Sequence, residues 1–444
     1  MPTGLRAKPC LTRWLAASAC ALAPLLLGAP ASALAATANA NARTPAAKTT
    51  SAAAPQAPAC AWSDWTAFKG ALLSADGRVI DASSPRQVTV SEGQSYALFF
   101  ALVANDRAAF DKILAWTENN LAQGDLAAHL PAWIWGRTDI DENGAPVVAS
   151  AASAASSSPA TQTQTGTWGV IDTNSASDAD LWIAYTLLEA GRLWNVRRYT
   201  AIGTVMARNV LRRETAALPG LGRTVLPGPV GFTLDRNTWR LNPSYVPLQV
   251  MRRFTLAMPE KERPEWKSLL GSSAKLVNGT APKGFSPDWV VYRARGNKGD
   301  FGPDEPTHAE SAYNAIRVYL WAGMLAYDDP ARSATLATFA PLSAFVAAHG
   351  FPPERVNTQT GEPGPNEGNG GFSAAVAPYL SALGRTDLSD AQVQRSRTLA
   401  QKSPPGYYSS VLMLFGLGYL QGLYRFDAQG RVIPAWTAQC PAAR

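Results

Sequence analysis

The feature that most constrains this chain is a rhythm. Helix-length stretches rich in apolar and aromatic residues, at 89–102, 176–190, 244–254, 312–326, 371–383 and 407–424, alternate with more charged ones. The charged kind falls at 62–72, 107–121, 199–213, 262–276, 333–348 and 390–401. An amphipathic helix buries one stripe, whereas a helix that is apolar all round must be covered on every side. The pattern predicts about twelve helices in six inner-and-outer pairs, with the 62–72 helix as partner of the last. The repeats share pattern rather than sequence, so periodicity alone supports an all-α single domain. An α/α toroid is the architecture that gives six apolar helices a common centre. Loops such as 218–240, rich in Gly, Pro and Thr, are expected to carry a few short strands.

The ends of the chain set its address. Arg6, Lys8 and Arg13 precede an apolar run at 14–28, and Ala31-Ser32-Ala33 and Leu34-Ala35-Ala36 offer small-residue cleavage sites. That is the form of a secretory signal peptide, assigned to 1–36, and it predicts a periplasmic or secreted protein. The run is short for a bilayer span and is followed by small residues and Pro30, so no membrane span is expected in the mature form. Residues 37–59, mostly Ala, Thr, Pro and Asn, read as a flexible lead-in to a single domain at 60–444. The Ala/Ser/Thr/Gln segment 149–167 reads as a low-complexity loop inserted in that domain. Once the signal leaves, Cys60 and Cys440 remain, and an oxidising compartment predicts a disulfide between them. The formal charge of +7 falls by about three with the signal, and no basic block remains to suggest nucleic acid.

Three of the apolar helices have polar mouths. Glu92 follows Ser91, a candidate N-cap, and precedes Tyr96, Phe99 and Phe100 at helical spacing. Alone, this stretch leaves two readings open: a glutamate complementing the helix dipole, or a functional acid. The second mouth places Asp178, Trp182 and Tyr185 on one face at i, i+4 and i+7, and the third does the same for Asn314, Arg317 and Trp321. Convergence of the three at one end of the toroid would build a cleft with acids below and aromatic rings around it. Tyr96, Trp133, Trp135, Trp182, Tyr245, Trp289 and Arg317 are the candidate substrate-binding residues. Flat rings stack on the apolar C–H faces of pyranose sugars, which points to a glycan chain. Glycosidic cleavage needs one protonated carboxyl to donate to the leaving oxygen and a basic group opposite.

At this point the residues carry a resemblance. The block 87–122, Leu130-Pro131-Ala132-Trp133-Ile134-Trp135-Gly136, Ala176-Ser177-Asp178-Ala179-Asp180 through Trp194, Lys283 to Trp289 and Tyr313 to Trp321 resemble glycoside hydrolase family 8. Within it they are most similar to the periplasmic members that accompany bacterial cellulose synthesis. The resemblance implies an (α/α)6 barrel and inverting hydrolysis of a β-1,4-glucan chain, with the cellulose synthase and export complex as a partner. It implies that Glu92 is the general acid and that Asp178 lies at the cleavage point. One residue departs from the pattern. The aspartate that many members use as general base corresponds to Asn314, and an amide cannot accept the proton from water. Asp300, Asp304, Glu305 and Glu310, in the acidic stretch before that helix, are the alternative candidates.

Two further readings follow from that departure and from the acidic stretch. One is a glucan-binding or scaffolding subunit with weakened catalysis; the other is an enzyme on a different β-1,4 polymer such as chitosan. No cofactor is expected. The three histidines, His129, His308 and His349, are scattered, and two cysteines make no zinc spacing.

Overall fold

The computed structural model describes residues 60–147 and 166–438. The signal peptide, the lead-in, the 149–167 insertion up to residue 165, and Cys440 lie outside the described residues. Cys60 is buried in the core.

Thirteen α-helices occur among the described residues. Seven of them surround the apolar centre on its outside: α1 (Ser63–Leu72), α3 (Arg107–Leu121), α5 (Arg197–Arg213), α7 (Arg263–Gly279), α9 (Arg332–Thr338), α10 (Ala340–His349) and α12 (Thr386–Lys402). The inner set is α2 (Ser91–Val103), α4 (Ser177–Leu193), α6 (Leu248–Ala257), α8 (Ile316–Gly323), α11 (Gly370–Ala382) and α13 (Tyr407–Leu420). Almost every residue of α2, α4, α8 and α11 is buried, whereas α3, α5, α7 and α12 bury one side. The alternation in the sequence is thus an alternation in coverage.

Each inner helix packs on an outer neighbour: α2 on α3, α4 on α5, α6 on α7, α8 on α9, α11 on α12 and α13 on α1. The inner helices also meet in sequence, α2 with α4, α4 with α6, α8 with α11 and α11 with α13, and α13 returns to α2. Between α6 and α8 the 3-10 turn Pro243–Tyr245 fills the gap, touching α4, α7 and α8. The Trp321 indole donates to the Ser244 carbonyl there at 3.0 Å. The axis of the circuit is plugged by rings. Phe415 lies 5.1 Å from Tyr96, 4.6 Å from Phe100, 5.4 Å from Trp182 and 5.1 Å from Trp321.

Three of the expected helices differ, each for an identifiable reason. The 244–254 stretch becomes the 3-10 turn and then α6, because Pro247 cannot donate into a continuing helix. The 333–348 stretch splits into α9 and α10, the second with Pro341 in its first turn. The helix expected from 312 starts at Ile316, because the amides of Ala312, Asn314 and Ala315 all donate to the Asp288 carboxylate.

There is also more strand than the loops suggested. Thr89–Val90, Ala132–Arg137 and Trp168–Ser175 form an antiparallel three-stranded sheet. Thr233–Asp235, Thr238–Leu241, Val290–Arg295 and Lys298–Pro303 form a four-stranded one. Asp300, expected in a loop, lies on the last of these strands opposite Arg293.

Close approach of helices needs glycine at Gly416, where an added Cβ would overlap the Ala374 carbonyl of α11. The Gly416→Ala variant should therefore lose about 1–3 kcal/mol despite its better helix propensity, read as a lowered melting temperature. Gly271→Ala on α7, where the added carbon meets open space, should show no such loss.

Candidate active site

The two acidic helix mouths are brought together by the three-stranded sheet. Strand Thr89–Val90 runs directly into α2, and strand Trp168–Ser175 stops one residue short of α4. Ala132–Arg137 lies between them, paired to both. Glu92 and Asp178, 86 positions apart in the chain (178 − 92), thus emerge from the same end of one sheet, each in the first turn of its helix. Helix N-termini leave backbone N–H groups unpaired and carry partial positive charge, so both carboxylates sit where negative charge is favoured.

Arg317, in the first turns of α8, ties them together. Its Nη1 donates to Glu92 Oε2 in a short ion pair, to Asp178 Oδ2 at 3.1 Å and to the Tyr96 hydroxyl at 3.0 Å. Its Nη2 donates to Asn314 Oδ1 at 2.8 Å and Ser244 Oγ at 3.1 Å. The guanidinium is buried and the Tyr245 ring covers it at 5.6 Å. Glu92 keeps its other oxygen for the Tyr407 hydroxyl, which donates at 2.9 Å. Glu92 is 20% exposed and Asp178 only 3% exposed, so the glutamate reaches the surface while the aspartate lies below it. One nitrogen bridges both acids, which holds them within two hydrogen-bond lengths, about 6 Å at most.

Asn314 joins the same cluster as an acceptor. Its Oδ1 takes hydrogen bonds from Arg317 Nη2 and from Asn242 Nδ2 at 3.1 Å, which fixes the carboxamide orientation. The four acidic candidates upstream are not drawn in. Asp304 is buried against Arg240, with both oxygens at 2.9 Å from that guanidinium. Glu310 pairs with Arg355 at 2.5 Å, Glu305 is exposed on a 3-10 turn, and Asp300 is exposed on its strand.

The aromatic candidates divide. Trp133 is 38% exposed on the central strand, with a face open to solvent. Trp135 is stacked on Trp168 at 5.4 Å, with the Arg78 guanidinium 4.5 Å from its ring. Trp289 is stacked on Phe232 at 5.8 Å and on Arg240 at 4.3 Å, beside Tyr245. Tyr96 is buried, and its hydroxyl reaches Arg317. Trp182 does not line a groove: it is wholly buried among Tyr96, Phe99, Tyr185, Trp321 and Phe415, one turn deeper along α4 than Asp178.

Several participants carried no distinct signal in the sequence. Asp288 stands in a quoted motif, yet its task, capping the 312–315 turn, is visible only in space. Tyr407 follows Pro404-Pro405-Gly406, a punctuation that marks a helix start without marking a site. Asn242 and Ser244 look like turn residues, which they also are. Among the described residues no group of three or more His, Cys, Asp or Glu side chains is placed to hold a metal ion, and no helix is long and apolar enough to cross a membrane.

Burial pushes the Asp178 carboxyl up to about 7, against the opposing pull of Arg317, with the Glu92 charge adding to the rise. An aspartate raised in the folded state stabilises the fold below its unfolded value near 3.9, and that contribution is lost as pH rises through the folded value. The Asp178→Asn variant should therefore melt several degrees higher than the wild type at pH 8. The gap should close towards pH 4, as read by thermal unfolding across that range.

Known proteins share the sequence and the fold of this chain. The family model described as glycosyl hydrolases family 8 matches residues 41–161 and 160–422. An endoglucanase of Escherichia coli O157:H7 is 44% identical over 384 residues, covering 86% of this chain and 93% of that one. An endoglucanase of Xanthomonas axonopodis pv. citri (strain 306) is 42% identical over 388 residues, 86% of this chain and 91% of its own. The crystal structure of an endo-1,4-D-glucanase from Vibrio fischeri ES114 superposes with a TM-score of 0.74 at 44% identity, over 85% of this chain and 100% of that one. The chain belongs to glycosyl hydrolase family 8 and is a glycoside hydrolase.

Proposed function

We propose that this protein is an exported endo-β-1,4-glucanase of (α/α)6 architecture that trims glucan during bacterial cellulose synthesis. Glu92 donates the proton to the leaving glycosidic oxygen. The observation that carries this reading is the single Arg317 guanidinium joining Glu92 to Asp178, with an exposed tryptophan on the strand between the two strands that lead into their helices. Glu92 is the more exposed of the two acids and is within reach of a bound chain. Asp178, beneath it, stabilises positive charge developing on the sugar ring. Relatives named as endoglucanases support the activity. The signal-like N-terminus and the motifs shared with members that accompany cellulose synthesis support the setting. A Cys60–Cys440 bridge would close the domain after export.

Inverting hydrolysis places a water and its base on the far side of the ring, with carboxyl groups about 6.5–9.5 Å apart. Asp178 shares one Arg317 nitrogen with Glu92 and is read here as the stabilising charge rather than as that base. The position of the usual base holds Asn314, whose oxygen already accepts two hydrogen bonds. That saturation favours a second reading, in which the protein binds and guides glucan while cleaving it slowly.

Hydrolysis of soluble carboxymethyl cellulose separates the two. Glu92→Gln should lower kcat by about 100-fold to 10,000-fold with the fold intact, and a wild type without turnover at any pH would sink the glucanase reading. Asn314→Asp should raise kcat about tenfold or more by supplying the missing base. An unchanged rate in that variant would mean that the water is activated from another position.

A further inference from the structure

Behind Asp178 lies a second pair of acids that proton donation by Glu92 does not use. Asp180 stands in the same first turn of α4, and Glu214 directly follows α5; both side chains are wholly buried. Their carboxyl groups lie against each other. The Ser175 hydroxyl, which lies beside both acids, donates to Glu214 Oε1 at 2.5 Å, while both Asp180 oxygens and Glu214 Oε2 are buried with no hydrogen-bond partner among the described residues. The charged groups around the pair are Asp178 on α4 and Arg213 at the end of α5, an exposed side chain that donates to the Ala128 carbonyl. Beyond Asp178 lie Glu92 and Arg317. Two touching carboxyl groups without a buried cation cannot both be ionised, so a proton sits between them. Burial pushes Glu214 up to about 8 and Asp180 well above the ordinary carboxylate range.

The pair joins four segments at one point. Ser175 ends the strand that leads to α4, and Ser177 N–H donates to the Pro227 carbonyl at 3.0 Å. The Glu214 amide donates to Val210 of α5 at 2.8 Å, while its carbonyl accepts from Leu226 at 2.7 Å. Asp178 sits inside this knot, between Ser177 and Ala179.

We propose that Asp180 and Glu214 are positioning residues: a proton-bridged carboxyl pair that locks the first turn of α4 and so holds Asp178 against Arg317 during glycosidic cleavage. The proposal rests on the reading of Asp178 as the charge beneath the cleaved sugar. When alkali removes the bridging proton to solvent, two like charges face each other, the turn loosens and the rate falls.

The double variant Asp180→Asn/Glu214→Gln keeps the shape and one N–H···O bond but cannot titrate. It should retain kcat at pH 6, with KM unchanged, while the alkaline limb of kcat moves up by about one pH unit or more. An unmoved limb overturns the proposal. Should the double variant fail to fold, Glu214→Gln is measured in its place by the same criterion. Glu214→Ala should lower kcat about tenfold to a hundredfold with little change in KM, and an unchanged kcat speaks against positioning. Difference infrared spectra, wild type minus double variant, in which the Asp178 band cancels, should show a protonated carboxyl band at pH 6 that fades as pH rises past 8. Absence of that band overturns the pair whatever the turnover. If the wild type itself does not hydrolyse glucan, the glucanase reading fails instead, and the pH dependence of cello-oligosaccharide affinity in wild type and double variant becomes the readout on the same criterion.

Discussion

The rest of the site depends on one buried cation. A guanidinium taken out of water costs several kcal/mol unless it is met by charge and by enough acceptors. The two Nη nitrogens of Arg317 are met by both: two carboxylates, two neutral side-chain oxygens and a phenol, contributed by α2, α4, the turn before α6 and the 312–315 turn before its own helix. Removing it would leave Glu92 and Asp178 facing each other with nothing between, in a place where burial already disfavours charge on the aspartate. Its planar fork addresses several partners in fixed directions, which a lysine at the same place could not. The ring of helices supplies the wall, and this one side chain decides how the mouths of those helices face one another.

Much of this was legible in the chain and some was not. The difference is one of range. The helical rhythm and the polar starts of α2 and α4 are written in residues three and four apart, so Glu92, Asp178 and Arg317 could be picked out before any coordinates. The start of α8 depends on Asp288, some two dozen residues upstream, and no local pattern announces that it will cap the 312–315 turn. Tyr407 reaches Glu92 from the far end of the domain. Trp182 misled for a related reason: it shares a helix face with Asp178, but on an inner helix that face runs from the mouth down into the axis.

Asn314 shows how little chemistry separates a base from a brace. An aspartate there could face the same two donors and still carry a charge able to draw a proton from water. The amide satisfies Arg317 and Asn242 equally well as a neutral acceptor, so the cluster keeps its geometry while losing proton affinity at that corner. The Asp180–Glu214 pair, one layer further in, is the converse: two acids in which protonation, rather than a cation, relieves the crowding of like charge.

The three-stranded sheet has a consequence for how a long polymer is read. Trp133 projects from the central strand, and the strands on either side of it deliver the two acids. The spacing between the backbone at Trp133 and the two acidic helix mouths is therefore set by the ladder, which stretches far less than a side chain swings. On the proposed reading, a saccharide unit resting on Trp133 would be indexed to the acids as a mark on a ruler is to its edge. Sliding the polymer by one sugar would then bring the next linkage to the same place.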